Sequence, residues 1–108
     1  MEPRPRRLLI YETEDGRRPF EMWMDGLRGS DIHAIVLTRL DRVELGNLGD
    51  WGTVGEGISE LRIHLGPGYR VYFGQDGDDV ILLTGSKKSK SQSQDIAEAK
   101  AYWRDYNA

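Results

Sequence analysis

The sequence predicts an α+β fold in which a small, twisted, mostly antiparallel sheet packs against helices. Within residues 57–90, apolar residues alternate with polar ones on both sides of a glycine- and proline-containing turn, which is typical of strands with one buried face. Three other segments carry apolar residues at the spacing of one helix face. The predicted order is β-α-α-β-β-β-α, with about four strands and with the helices on one face of the sheet.

The strongest strand prediction concerns the first two strands of a three-stranded meander. Leu61 and Ile63 alternate with polar residues in the first strand, and Val71 and Phe73 do so in the second. With the turn at 66–68, Ile63 is expected opposite Val71 and Leu61 opposite Phe73. These apolar side chains are predicted to form the core face.

The same register predicts a second, polar face of the sheet. It places Arg62 opposite Tyr72 and His64 opposite Arg70, and Glu60 is the one acid within these two strands before the next turn. Like charges on neighbouring strands are mildly unfavourable unless an anion lies between them. The face is therefore either an ordinary solvated sheet surface or a site for an anion.

The segments before the meander are predicted in chain order. A strand over 8–12 precedes a turn, and Pro19 suits the first position of a helix. A second helix over 31–45 follows a very short connection, so the two helices are expected to lie antiparallel. Arg39 and Arg42 are placed on its polar side. The glycine-rich segment 46–57 is predicted to be a long loop.

A basic loop and a final helix follow the meander. The loop contains Lys87, Lys88 and Lys90, and Ser91 with Gln94 fits a capping box at the helix N-terminus. The expected buried stripe of this helix is Ile96, Ala99, Trp103 and Tyr106.

Length and composition limit the remaining possibilities. The chain has 108 residues, of which 38% are hydrophobic and 31% charged, as expected for a single domain spanning 1–108. It contains no apolar run long enough to span a membrane and no recognisable signal peptide, so a cytoplasmic protein without a membrane partner is expected. With no cysteine and two histidines, we expect no metal and no cofactor. A net charge of −3 excludes a strongly basic nucleic-acid binder but allows a local basic site.

Three segments together resemble a known family. They are Glu60-Leu61-Arg62-Ile63, the run from Gly66 to Phe73, and Asp95-Ile96 with Ala99 and Trp103. This pattern is similar to that of the addiction-module killer, or HigB-like, branch of the RelE/ParE toxins. The similarity spans nearly the whole chain and implies a RelE-like fold.

The resemblance implies the toxin of a type II toxin-antitoxin module, inhibited by a cognate helix-turn-helix antitoxin. In the ribonuclease members, mRNA on the ribosome is cut when a ribose 2′-OH attacks the adjacent phosphate, without a metal ion. This chemistry needs cations around the phosphorane and a proton donor for the leaving oxygen. By this resemblance Arg70 is the expected phosphate clamp. The other expected catalytic residues are Arg62, His64, Lys87 and Lys88. Tyr72 and Lys90 are expected to bind RNA, and Tyr102, Trp103 and Tyr106 to bind the antitoxin.

Two further functions are compatible with the same fold. ParE-like relatives inhibit DNA gyrase through protein contacts, without hydrolysis. A degenerate toxin retained as a non-catalytic, partner-binding module is the other alternative.

Overall fold

The computed structural model describes residues 4–88 and 92–108, so Lys90 and Ser91 of the predicted basic loop and capping box lie outside the described residues. The described chain forms an α+β domain, as predicted, with one sheet and three helices. The strands are β1 (Arg7–Ile10), β2 (Trp51–Gly55), β3 (Ile58–Ile63), β4 (Tyr69–Asp76) and β5 (Asp79–Lys87). The helices are α1 (Pro19–Asp25), α2 (Asp31–Glu44) and α3 (Gln92–Tyr106). None of these helices is both long and apolar enough to cross a membrane.

The sheet is five-stranded and mixed, with the order β1-β5-β4-β3-β2. Strand β1 pairs with β5 in parallel and the other pairs are antiparallel, which confirms a mostly antiparallel sheet. The prediction of about four strands is wrong because the glycine-rich segment contains β2. Packing requires a glycine at position 52 of this strand, since a Cβ at Gly52 would lie 2.3 Å from the Arg62 guanidinium. Glycine here lets the Arg62 side chain lie across the edge strand.

The predicted register of β3 and β4 is wrong, although the predicted faces are largely right. Ile63 pairs with Tyr69 instead of Val71, and Arg62 pairs with Arg70. The reason is that the turn spans 64–68 rather than 66–68. Because the shift is by an even number of residues, each side chain stays on its expected side of the sheet.

Helices cover both faces of the sheet, which corrects the prediction of helices on one face. The first core joins α1 and α2 to one face; its buried residues include Phe20, Met24, Val36, Val43, Leu61, Ile63, Val71 and Phe73. The second core joins α3 to the other face; its buried residues are Tyr11, Ile58, Tyr72, Ile81, Leu83 and Ala99. The face predicted to be polar is thus apolar over much of its area.

Two contacts fix α3 to the sheet. The Trp103 ring lies directly over Gly74 of β4, where a Cβ would come within 2.4 Å of the ring. The Tyr11 hydroxyl donates a 2.6 Å hydrogen bond to the Asp105 carboxylate, which lies near the same C-terminal end of the helix. Burial, together with the Asp105 carboxylate, raises the pKa of Tyr11 to about 12. The tyrosine therefore remains a hydrogen-bond donor at neutral pH.

We expect Gly74→Ala to destabilise the protein by about 1–3 kcal/mol, because the added methyl group pushes Trp103 away from the sheet. Chemical denaturation followed by circular dichroism measures this change. Gly26→Ala is the matched control, since Gly26 has an ordinary φ of −68° and a Cβ there meets its nearest atom at 3.4 Å. Equal stability of both variants and the parent would show that the α3 contact does not require glycine.

Candidate functional site

Four of the predicted basic residues lie together at one end of the sheet. Arg62 and His64 extend from the end of β3, Arg70 from the start of β4, and Lys88 follows β5. A cleft of about 30 Å³ lies among them. Its lining residues are Arg62, Ile63, His64, Gly68, Tyr69, Arg70 and Lys88. Lys87 is exposed beside this cleft and is paired in register with Tyr69, but it does not line the cleft.

An acid that was not anticipated from the sequence, Asp50, organises the exposed part of this cluster. Its Oδ2 lies 2.5 Å from His64 Nε2, and its Oδ1 accepts a 3.2 Å hydrogen bond from Arg62. These hydrogen bonds, with that from His64 the larger, lower the pKa of Asp50. Asp50 is therefore ionised at neutral pH and holds the imidazole and the guanidinium side by side.

A second acid, Glu60, holds Arg70 against the sheet. The Arg70 guanidinium donates to both Glu60 carboxylate oxygens, at 2.8 Å to Oε1. The Glu60 side chain is 4% exposed and that of Arg70 is 16% exposed. Arg62 Nε lies 4.0 Å from the same carboxylate. A buried carboxylate is strongly destabilising without a cation beside it, so Arg70 has a structural role. The prediction that Arg70 lies on a polar face of the sheet did not anticipate this role.

Arg39 positions the segment that carries Asp50. Its guanidinium donates to the backbone carbonyls of Arg62 at 2.6 Å, Asp50 at 2.6 Å and Leu48 at 2.9 Å. Burial lowers the pKa of Arg39. The expectation that Arg39 lies on the polar side of α2 is wrong, because the side chain is half-buried and joins α2 to β3 and the loop before β2.

Four further predicted site residues within the described ranges lie in the second core or pack against it. Tyr72 is fully buried. Its hydroxyl has no hydrogen-bond partner among the described residues. Burial raises the pKa of Tyr72, while the neighbouring Ser86 side chain opposes the rise. The expectation that Tyr72 lies on an exposed face is wrong. The predicted antitoxin contacts Tyr102, Trp103 and Tyr106 are half-buried and pack against this core.

The cluster offers groups for proton transfer and for binding an anion. An imidazole whose Nε2 is held by a carboxylate presents Nδ1 to a ligand, which is the arrangement of an oriented general base. Arg62 and Lys88 supply cations at the same cleft. Among residues 4–88 and 92–108, no group of three or more histidine, aspartate or glutamate side chains is placed to hold a metal ion.

The sequence signal for Asp50 and Arg39 is weak. Asp50 lies just outside a glycine-rich strand, and its partners are 12 and 14 residues away. Arg39 binds backbone carbonyl groups. Every residue has such a group, so no residue type in the sequence marks the partners of Arg39. Recognition of β2 as a strand antiparallel to β3 would have brought Asp50 close to Arg62.

We expect Arg70→Ala to lower the free energy of unfolding by roughly 3 kcal/mol, because it leaves the Glu60 carboxylate buried without its closest cation. The double variant Arg70→Ala/Glu60→Ala should be more stable than Arg70→Ala alone. Urea denaturation of the parent, the two single variants and the double variant measures the coupling. Additive effects of the two single changes would contradict a structural ion pair.

The comparisons with known proteins identify one relative of this chain. No family model matches the sequence. An uncharacterized protein of Haemophilus influenzae is 45% identical over 82 residues, which cover 75% of this chain and 82% of that protein. At this identity and coverage the two chains share a fold and a common origin. The chain belongs to the same family as this Haemophilus influenzae protein.

Proposed function

We propose that the protein is the toxin component of a type II toxin-antitoxin module, a HigB-like member of the RelE/ParE toxins, and cleaves mRNA on the ribosome. The observation that supports a nuclease best is the pairing of His64 with Asp50 beside Arg62 and Lys88. It provides a base, a cation and a proton donor at one cleft. The cognate antitoxin, a helix-turn-helix protein, would act as the inhibitor.

In the proposed reaction, His64 Nδ1 takes the proton of a ribose 2′-OH. The 2′ oxygen then forms a bond to the adjacent phosphorus, and the bond from phosphorus to the 5′ oxygen breaks. Lys88 donates a proton to the leaving 5′ oxygen. The products are a 2′,3′-cyclic phosphate and a 5′-OH, and the chemistry uses no metal ion. Asp50 keeps the imidazole oriented and stabilises the imidazolium that forms.

The two arginines have different roles in this proposal. Arg62 is 35% exposed and can exchange part of its contact with Asp50 for a non-bridging phosphate oxygen as negative charge develops. Arg70 is held by Glu60, and its surroundings favour a positioning role over the phosphate clamp implied by the family resemblance. A guanidinium fork suits either task.

One observation favours a second candidate function, inhibition through protein contacts alone as in the gyrase-inhibiting relatives. Both arginines already have carboxylate partners, which weakens their attraction for RNA phosphates. If the protein inhibits gyrase, its induction should stall DNA replication or damage DNA, while mRNA stays intact.

We expect His64→Ala to lower the rate of mRNA cleavage by about 10²- to 10⁴-fold, as for loss of a general base. The measurement is mapping of mRNA ends on translating ribosomes, together with growth arrest on induction. The protein contains one other histidine, and His33→Ala is the matched control with parental activity expected. His64 is exposed, so the fold should survive the change.

Two outcomes of this experiment would contradict the proposal. One is parental cleavage by folded His64→Ala. The other is growth arrest with unbroken mRNA in the parent, which would favour inhibition by protein contact.

A further inference from the structure

Two tyrosines are buried on the face of the sheet that α3 covers, and their hydroxyl groups differ. Tyr11 and Tyr72 both belong to the second core, with exposed fractions of 5% and 0%. The Tyr11 hydroxyl donates to Asp105, whereas that of Tyr72 has no hydrogen-bond partner among residues 4–88 and 92–108. A buried hydroxyl without a partner lowers stability, and a phenylalanine would fill the same space without this cost. The Tyr72 hydroxyl is thus a candidate for a contact that forms in another state of the protein.

The groups around the Tyr72 hydroxyl include the ion pair that holds Arg70. Tyr72 is paired in register with Glu60, and Arg70 lies two residues earlier on the same face of β4. Burial is the main cause of the raised pKa of Tyr72, and the charges of Glu60 and Arg70 are close enough to act on it as well. The hydroxyl is protonated at neutral pH. It can therefore donate to the Glu60 carboxylate if that carboxylate turns away from Arg70.

An anion in the cleft would disturb the pair of Glu60 and Arg70. The cleft volume of about 30 Å³ suits one or two water molecules, so a phosphate group fits only after a lining side chain moves. Arg70 lines this cleft with a guanidinium whose fork matches phosphate oxygens. If Arg70 turned to the anion, the Glu60 carboxylate would be buried without its closest cation, which is strongly destabilising. Arg62 Nε, 4.0 Å from this carboxylate, lies beyond hydrogen-bond distance.

We propose that Tyr72 is a reserve hydrogen-bond donor for Glu60. When a phosphate-type anion enters the cleft and Arg70 turns to it, the Tyr72 hydroxyl donates to the Glu60 carboxylate in place of the guanidinium. The buried carboxylate then keeps a donor in both states. Tyr72 is a positioning residue that acts through Glu60 and Arg70. The inference rests on the proposed function only in that RNA supplies the phosphate; in the anion-free protein, Arg70 keeps its role of balancing Glu60.

Two other groups near the Tyr72 hydroxyl fit the role of acceptor less well. The charge of Asp95 also acts on the pKa of Tyr72, but Asp95 lies in the first turn of α3, where the helix dipole already stabilises an acid. The Ser86 side chain is a neighbour too. Its hydroxyl is neutral, so it gains less from a further hydrogen bond than a carboxylate does. Glu60 is the acid that would lose its cation.

The test is binding of inorganic phosphate to the full chain, followed through the side-chain Nε resonance of Arg70. We expect Tyr72→Phe to weaken phosphate binding about tenfold, because the anion-bound state loses a hydrogen bond to a charged group. In a Glu60→Gln background, the same change should weaken binding by less than about twofold, since no carboxylate then needs the donor. Urea unfolding without phosphate should give Tyr72→Phe a midpoint equal to or above that of the parent.

Tyr11→Phe is the matched control, because its hydroxyl has a partner in the anion-free protein. This variant should have a lower urea midpoint than the parent and should bind phosphate as the parent does. A purely structural role of the Tyr72 hydroxyl would give Tyr72→Phe the same pattern.

Four results would overturn the proposal. Two of them concern the single variant: Tyr72→Phe binds phosphate as tightly as the parent, or its urea midpoint falls as that of Tyr11→Phe does. A third is a full effect of Tyr72→Phe in the Glu60→Gln background, which would assign the hydroxyl to Asp95 or to the anion itself. The fourth is a parent whose Arg70 resonance does not respond to phosphate. The expected phosphate binding by a parent that leaves mRNA uncut would support the exchange and contradict only the proposed ribonuclease.

Discussion

The arrangement of the candidate site depends on the Arg39 guanidinium. From α2 it reaches three backbone carbonyls in two separate segments, and these fix the loop before β2 against the end of β3. Gly49 makes the approach possible, since a Cβ there would lie 2.9 Å from Arg39 Nε. The cost of burying a cation is offset by strong hydrogen bonds to carbonyl dipoles. The position of Asp50, and through it that of His64, follows from this contact.

Pairing of both Arg62 and Arg70 with acids explains how an acidic protein can carry a basic site. Glu60 and Asp50 hold Arg70 and Arg62 on adjacent strands, where two unpaired guanidiniums would repel each other. In the proposed function, an anion would enter such a site by taking the place of a carboxylate partner, and not through an open positive field. For the proposed ribonuclease, this means that positioning of the mRNA would depend on the ribosome as well as on the toxin.

The faces of the central strands were predictable from the sequence because side chains alternate between the two faces. An error of two residues in the register therefore moves no side chain to the other face. The register was not predictable, since Gly66-Pro67-Gly68 suggests a shorter turn than the one that forms. Burial of the second face under α3 could have been predicted from β5. Its apolar run Val80-Ile81-Leu82-Leu83 indicates a strand that is buried on both faces. Arg39 and Asp50 were out of reach, because their roles depend on contacts between distant segments.

In the proposed ribonuclease reaction, the 2′ oxygen of the mRNA attacks the scissile phosphate. The most direct measurement uses translating ribosomes programmed with an mRNA that carries one 2′-deoxynucleotide on the 5′ side of a mapped cleavage site. The proposed mechanism predicts that cleavage at that site stops while neighbouring sites are still cut, with 2′,3′-cyclic phosphate ends. Undiminished cleavage at the 2′-deoxy position, or no cleavage of the all-ribose mRNA by the purified protein, would contradict it.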